Sequence, residues 1–383
     1  MRAAVITLAL LAAAAPAAAH AADPYEEPLI EVHGFASPGF IVTTPGVNYL
    51  ARSDGGSAEF SEVGINFTKQ LTDELRFGLQ LFARDLGDVG DYTPRLDWFY
   101  LDYRFSDWLG FRAGRVKVPF GLYNETSDVD AAHVPILLPQ SIYPVQNREL
   151  LLAQTGAELY GYVPLGDAGA LDYRVFGGTI FLPTDELAGG DFSDVTADVK
   201  YVTGARLLWE TPLTGLRIGG SVITGEIDST ATAGQLGLLE VSLDATLWVA
   251  SIELVAADLT AAAEYSRWLT DTASNQPLLV FPKETTSERA YVSLAYRVTD
   301  WFHPSVYYAL QYPDVDDREG RESQQHDLAL TLRFDVNPHW LWKLEAHYMR
   351  GTAALSSSLN GDTPMSELPW DWAAFMLKTT AYF

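Results

Sequence analysis

The stretch Asp327–Tyr348 reads DLALTLRFDVNPHWLWKLEAHY. Its first half puts Leu328, Leu330, Leu332, Phe334 and Val336 on one side of an extended chain, and Asp327, Ala329, Thr331, Arg333 and Asp335 on the other. After the Asn337-Pro338 link, Trp340, Trp342, Leu344, Ala346 and Tyr348 alternate with Lys343, Glu345 and His347. Successive side chains of a strand point to opposite faces, so the stretch predicts a hairpin of two strands. A soluble sandwich alternates in the same way. Here the polar face carries charge and aromatic residues gather at the strand ends. Strands with lipid on one side and water on the other show that pattern.

The pattern repeats outward from this hairpin. Leu75, Phe77, Leu79, Leu81 and Ala83 alternate with Arg76, Gly78, Gln80 and Arg84; Ala290, Val292, Leu294, Tyr296 and Val298 alternate with Arg289, Ser293 and Arg297. Short links at 69–74, 106–107, 164–170, 212–215, 256–258, 299–300 and 337–338 alternate with long polar stretches at 45–56, 85–95, 119–152, 182–196, 226–245, 269–286, 313–324 and 351–369. Short turns on one side and long loops on the other describe an outer-membrane antiparallel β-barrel, with about sixteen strands and both termini on the short-turn side. Closure follows from the solvent: a sheet in hydrocarbon has nothing to satisfy an open edge. The last strand ends on Phe383, with Phe375, Leu377, Thr379 and Ala381 on the same face. Such an aromatic C-terminal strand is similar to the signal read by the barrel-assembly machinery, an expected partner alongside outer-membrane lipid and lipopolysaccharide.

Composition agrees. The chain opens on Met1-Arg2, an Ala-rich apolar run to Ala19, and the small-residue triplet Ala19-His20-Ala21. This predicts a signal peptide over 1–21 and a barrel over 22–383. The formal net charge of −25, one unit more negative without Arg2, repels nucleic acid. Cysteine is absent, which removes disulfides, thiolate metal sites and thiol nucleophiles. Glu253 and Asp258 interrupt the most apolar run, 245–263, so no membrane helix is expected.

The longest loop, 119–152, holds Thr126-Ser127-Asp128, a helix-start pattern, and the apolar run Ile136-Leu137-Leu138-Pro139. A loop waving in water would be polar throughout, so 119–152 is expected to fold inward and narrow the lumen. Before it stands Gly114-Arg115-Val116-Lys117-Val118-Pro119-Phe120-Gly121-Leu122. This resembles the G-(K/R)-x-K-x-P-F-G stretch of the phosphate-selective porin O and P family. His33-Gly34-Phe35, 60–67, 79–87 and 137–144 resemble proteobacterial porin-like members of that superfamily. The resemblance spans most of the chain beyond residue 21. It implies a sixteen-stranded, often trimeric porin whose constriction cations draw anions.

The candidate constriction residues are Glu125, Asp128 and Asp130 on the loop, facing Arg112 and Arg76, with Arg115 and Lys117 from the motif. Strict alternation would put Arg115 and Lys117 on the lipid face unless a bulge turns them inward. The candidate lumen wall carries Arg84, Arg104, Arg174, Arg206, Arg289, Arg297, Arg333 and Lys343, interleaved with Asp102, Glu158, Asp172, Glu210, Glu264, Asp327, Asp335 and Glu345. A lumen of mixed sign orients polar solutes without strong sign selection, a departure from the basic ladder of phosphate-selective members. Many remaining acids, such as Asp314, Asp316, Asp317, Glu319 and Glu322, sit in loops and lack a calcium-loop pattern. No nucleophile-elbow, phosphate-loop or zinc-protease motif occurs, and the histidines are scattered. Neither a metal nor a cofactor is expected. The functions that remain are passive diffusion of small hydrophilic solutes, an anion-selective (phosphate or polyphosphate) channel, and a closed barrel serving as surface scaffold or adhesin.

Overall fold

The computed structural model describes residues 30–87, 89–182, 192–233, 237–276, 280, 283–361 and 363–383; the expected signal peptide lies outside them. The strands are β1 (Glu31–Thr43), β2 (Ser61–Gln70), β3 (Leu75–Asp85), β4 (Arg95–Ser106), β5 (Leu109–Lys117), β6 (Ala153–Pro164), β7 (Ala170–Thr179) and β8 (Phe192–Glu210). They continue as β9 (Leu216–Ala233), β10 (Leu238–Ala256), β11 (Leu259–Ser274), β12 (Lys283–Tyr296), β13 (Phe302–Tyr312), β14 (Gln325–Asn337), β15 (Trp340–Gly351) and β16 (Asp371–Tyr382). Each strand pairs antiparallel with its neighbours in sequence, and the sheet closes where β1 meets β16 from Phe35↔Tyr382 to Thr43↔Ala374. This is a sixteen-stranded barrel of outer-membrane type. No described helix is long and apolar enough to cross a membrane.

Facing follows the alternation. Leu330 is 52% exposed on the outside of β14, whereas Thr331 beside it is fully enclosed by the interior. Leu328, Leu344, Phe375, Val292 and Leu294 join the outer apolar surface. Around the short turns, Trp108, Trp301, Trp340, Phe105 and Tyr296 are also exposed. Aromatic rings at that height form the girdle that seats a barrel at the lipid–water boundary.

Two of the expected long loops are shorter than the sequence suggested. Stretches 226–245 and 269–286 are in good part sheet of β9 to β12, and 192–196, the described end of 182–196 beyond residue 182, belongs to β8. In these extensions the polarity inverts. Asp244 pairs with Glu226 and with Asp271 on the outer face, while Leu243 and Ile227 pair on the inner one. The carboxylates that read as loop are the water-facing side of a wall that rises beyond the hydrocarbon.

Adjacent positions on β12 test the facing. Val292 points outward, and Ser293 lines an interior cavity of about 360 Å³. Val292→Arg is expected to cost about 2–4 kcal/mol near the midplane, whereas Ser293→Arg leaves folding close to wild type. Denaturant titration in bilayers, read by heat-modifiable gel migration, measures both. Equal costs would mean that the two faces are assigned wrongly.

Candidate functional site

Immediately after β5 the chain turns into the barrel. Gly121 adopts φ +55°, a left-handed conformation that suits glycine, and an added Cβ would collide with the Tyr143 hydroxyl. The next backbone groups reach strands far along the sheet. Gly121 N–H donates to Ser221 Oγ (3.1 Å) on β9, Leu122 N–H to Glu264 Oε1 (2.9 Å) on β11, and the Tyr123 hydroxyl to Glu253 (2.7 Å) on β10. Residues 118–152 therefore lie across the lumen. Their apolar side chains, Phe120, Leu138, Ile142 and Leu151, pack with inward-facing Val199, Leu247, Val249 and Tyr291.

Each loop carboxylate has its own anchorage. Glu125 bridges Arg174 on β7 (2.6 Å) and Arg206 on β8 (2.8 Å). Asp128 accepts from Lys117 (2.5 Å) and from Gln80 on β3 (2.8 Å), with Arg148 at 3.8 Å. Asp130 meets Lys378 (3.0 Å) and Thr380 (2.8 Å) on β16 and lies 3.8 Å from Lys343 on β15. Burial alone would raise these three acids. The facing cations outweigh it, holding Asp128 down to about 2 and Glu125 and Asp130 below the usual carboxylate range.

The wall also grips the loop backbone. Arg333 donates to the carbonyls of Ala131 (2.8 Å) and His133 (2.9 Å), and Lys343 to those of Asp130 (2.8 Å) and Pro135 (2.9 Å). Glu345 receives the N–H groups of Ile136 (2.7 Å) and Leu137 (3.0 Å) while Thr331 and His347 hold it in place. At the far end Arg148 forks onto Asp97 (2.6 and 2.7 Å), and Arg84 reaches the Val145 carbonyl (2.8 Å). Asp97 is available because β4 carries an extra residue there: Gln80 pairs with Trp98 but Leu81 with Leu96.

The sequence-derived cations fall into five settings. Arg84, Arg174, Arg206, Arg333, Lys343 and Lys117 hold the loop. Arg112 does not reach a loop acid; it pairs with Asp102 (3.0 Å) and Glu158 (3.1 Å), and Glu158 joins it to Arg174 (3.4 Å). Arg115 is buried, its Nε donating to the Asp97 carbonyl (2.7 Å), beside a Gly114 at φ +137°. Arg76, Arg104 and Arg297 sit at the short-turn rim: Arg76 bonds the Tyr100 hydroxyl (2.7 Å), Arg104 is exposed, and Arg297 pairs with Asp258 (2.7 Å) at the β10–β11 turn. Arg289 faces the lumen and meets no carboxylate within ion-pair distance among the described residues.

Sequence reasoning missed Lys378, Arg148, Asp97 and Gln80. Lys378 carried a signal, since it alternates with the outward Leu377 on the last strand; Arg148 carried none. The stretch 44–60 also turns inward. Val47, Tyr49, Leu50 and Ala51 are buried with Ile136, Leu137 and Trp372, and the Tyr49 and Trp372 rings meet edge-on at 5.2 Å. Its apolar content was the available cue.

No family model matches the chain, and no curated protein matches it. Solved structures do match in fold. The anion-selective porin from Comamonas acidovorans aligns over 93% of this chain and all of its own, with TM-score 0.55 and 13% identity. The outer-membrane channel DcaP of Acinetobacter baumannii aligns over 92% and 97%, with TM-score 0.55 and 11% identity. OmpT of Vibrio cholerae in its trimer form aligns over 94% and 100%, with TM-score 0.56 and 11% identity. The class is thus an integral outer-membrane barrel with the fold of a sixteen-stranded porin.

The ion pairs set a pH window for the loop. Because Asp128 and Asp130 are held below the ordinary carboxylic value of about 3.9, their pairing stabilises the folded state above that value. The contribution is lost as pH falls through the folded value, about 2 for Asp128. Single-channel current is therefore expected to stay steady from pH 7 to 5 and to become larger or noisier only below about 3. Because His133 itself titrates near 4, a transition centred between pH 4 and 5 would show that these acids are unpaired only if it persists in His133→Gln.

Proposed function

We propose that this protein is a non-enzymatic channel for passive diffusion of small hydrophilic solutes and ions, with residues 119–152 forming its constriction. One observation carries the reading: a space of about 360 Å³ lies between the loop and the β9–β13 wall, lined by both polar and charged groups. Tyr123, His133, Arg217, Glu253, Ser293 and Ser305 contribute to it. Arg217 and Glu253 face each other across adjacent strands, and burial holds His133 down to about 4, so it adds no charge at neutral pH. Charges of both signs on a narrow wall favour water and polar solutes without strong sign selection.

A modest anion preference is the second reading, supported by Arg289. Strong phosphate selectivity finds less support, since Lys117 is bound by Asp128 and Arg115 by the Asp97 carbonyl. The outer surface of β1 and β14–β16, with Phe40, Leu332, Leu344 and Phe375 around a shallow apolar depression of about 350 Å³, suits a homotrimer contact.

Two measurements test these readings. Deleting 126–142 is expected to raise single-channel conductance, and Asp128→Asn with Asp130→Asn to move the reversal potential in a salt gradient toward anions. Lys117, Arg148, Lys343 and Lys378 would then face a lumen of reduced dielectric with less compensation. A loop lying outside the conducting path would leave both values unchanged, because screening over about 8 Å hides its charge. For assembly, Phe375→Arg is expected to convert a trimer band on native gels to monomer; a wild-type monomer in mild detergent rules the trimer out.

A further inference from the structure

The extracellular half of the lumen contains an environment that a water-filled pore does not need. Above the level of Ser251 and Ser266, the inner faces of β8 to β11 are mostly apolar. Ile223, Ile227, Leu247 and Trp268, with Leu150 and Leu151 from the end of the loop, enclose a cavity of about 90 Å³. Water there would lose hydrogen bonds, because a buried water needs two to four polar partners. The cavity therefore favours hydrocarbon.

Arg289 stacks on Trp268, one of the residues that line it. The guanidinium lies 4.9 Å from the centre of the Trp268 ring, its Nε donates to Ser287 Oγ (2.9 Å), and one terminal nitrogen is 3.5 Å from the Ser141 carbonyl. Arg112, Arg174, Arg206, Arg217 and Arg333 all hold carboxylates. Arg289 holds none among the described residues. The acid nearest along the inner face of β11, Glu264, is already committed to Ser251, Tyr143, Tyr291 and the Leu122 N–H. Most of the Arg289 fork is left to accept a ligand, and a guanidinium fork matches a carboxylate through two parallel hydrogen bonds.

We infer that Arg289 and this apolar cavity form one binding site for small amphiphilic carboxylates, the carboxylate on the guanidinium and an aryl or short alkyl group against Trp268, Ile223 and Leu150. Inorganic phosphate would leave the apolar wall unused, and a neutral hydrocarbon would leave the cation unsatisfied. A dry aliphatic cavity of roughly 150 Å³ accepts benzene, so this smaller one of about 90 Å³ takes a chain of a few carbons or part of a ring. The site names a solute class for the diffusion channel and rests on that reading for transport, though not for binding.

The test separates the two. Binding is measured by calorimetry on the folded, detergent-solubilised barrel with benzoate, acetate and benzyl alcohol, independently of conductance. Benzoate is expected to bind about tenfold or more tightly than either acetate or benzyl alcohol, because each lacks one half of the match. Arg289→Gln should erase the advantage over benzyl alcohol, and Leu150→Ser should reduce the advantage over acetate while the barrel remains heat-modifiable. Equal affinity for benzoate and acetate in the unaltered protein overturns the proposal, as does benzoate binding that survives Arg289→Gln. Benzoate binding without interruption of single-channel current keeps the site and counts against the diffusion reading alone.

Discussion

A peptide group in hydrocarbon has no water to bond, so each N–H and C=O that crosses the membrane must find its partner in the sheet. The β1–β16 seam is where that requirement is met, and the remaining geometry descends from it. Closure by antiparallel neighbours demands an even strand number and places both ends of the sheet on one side. It also gives every residue only two surroundings, lipid or lumen, and one step along the chain exchanges them. Leu330 and Thr331 could not trade places without reversing all of β14.

Closure also creates an interior that must be filled. A wall rich in charge facing a sixteen-strand lumen leaves groups that need partners, and the loop after β5 supplies them in two forms. Its carboxylates pair with wall cations, and its carbonyls and N–H groups accept or donate to Arg333, Lys343 and Glu345. Removing one member of such a buried pair typically costs about 3–5 kcal/mol, because the other is left charged and unpaired. The anchors therefore act together: Asp128 and Asp130 are only two residues apart, yet they are held by β3 and β5 on one side and by β15 and β16 on the other.

The barrel was legible because alternation is local and period two survives without knowledge of neighbours. Strand facing in Asp327–Tyr348 followed directly from it. Height above the membrane is not local. Asp244 and Glu226 look the same in a loop and on the outer face of an extended strand, and only their pairing distinguishes the two. Contacts inside the lumen were harder still. Sequence proximity pointed Asp128 toward Arg112 and Arg76, but Arg112 is satisfied by its own neighbours and Arg76 sits at the rim. The actual partner Arg148 comes from the other end of the same loop, and Lys378 from the last strand, separations that no periodicity reports. An inserted residue in β4, which aims Asp97 inward, is likewise invisible before the register is known.

The uneven strand lengths shape how anything approaches this protein. β8, β9 and β10 run 18–19 residues, whereas β5 has nine, and at about 3.3 Å per residue the difference is roughly 30 Å of sheet before tilt is considered. The mouth is therefore a hood rather than a level ring, raised over β8 to β12 and low over the shorter strands on either side. Material descending from above meets the back of the hood, and material moving along the membrane surface meets the open side. The outer face of the hood, rich in carboxylates such as Asp244 and Asp271, stands beside the opening instead of over it. A particle that grips the cell by that face would leave the channel unobstructed.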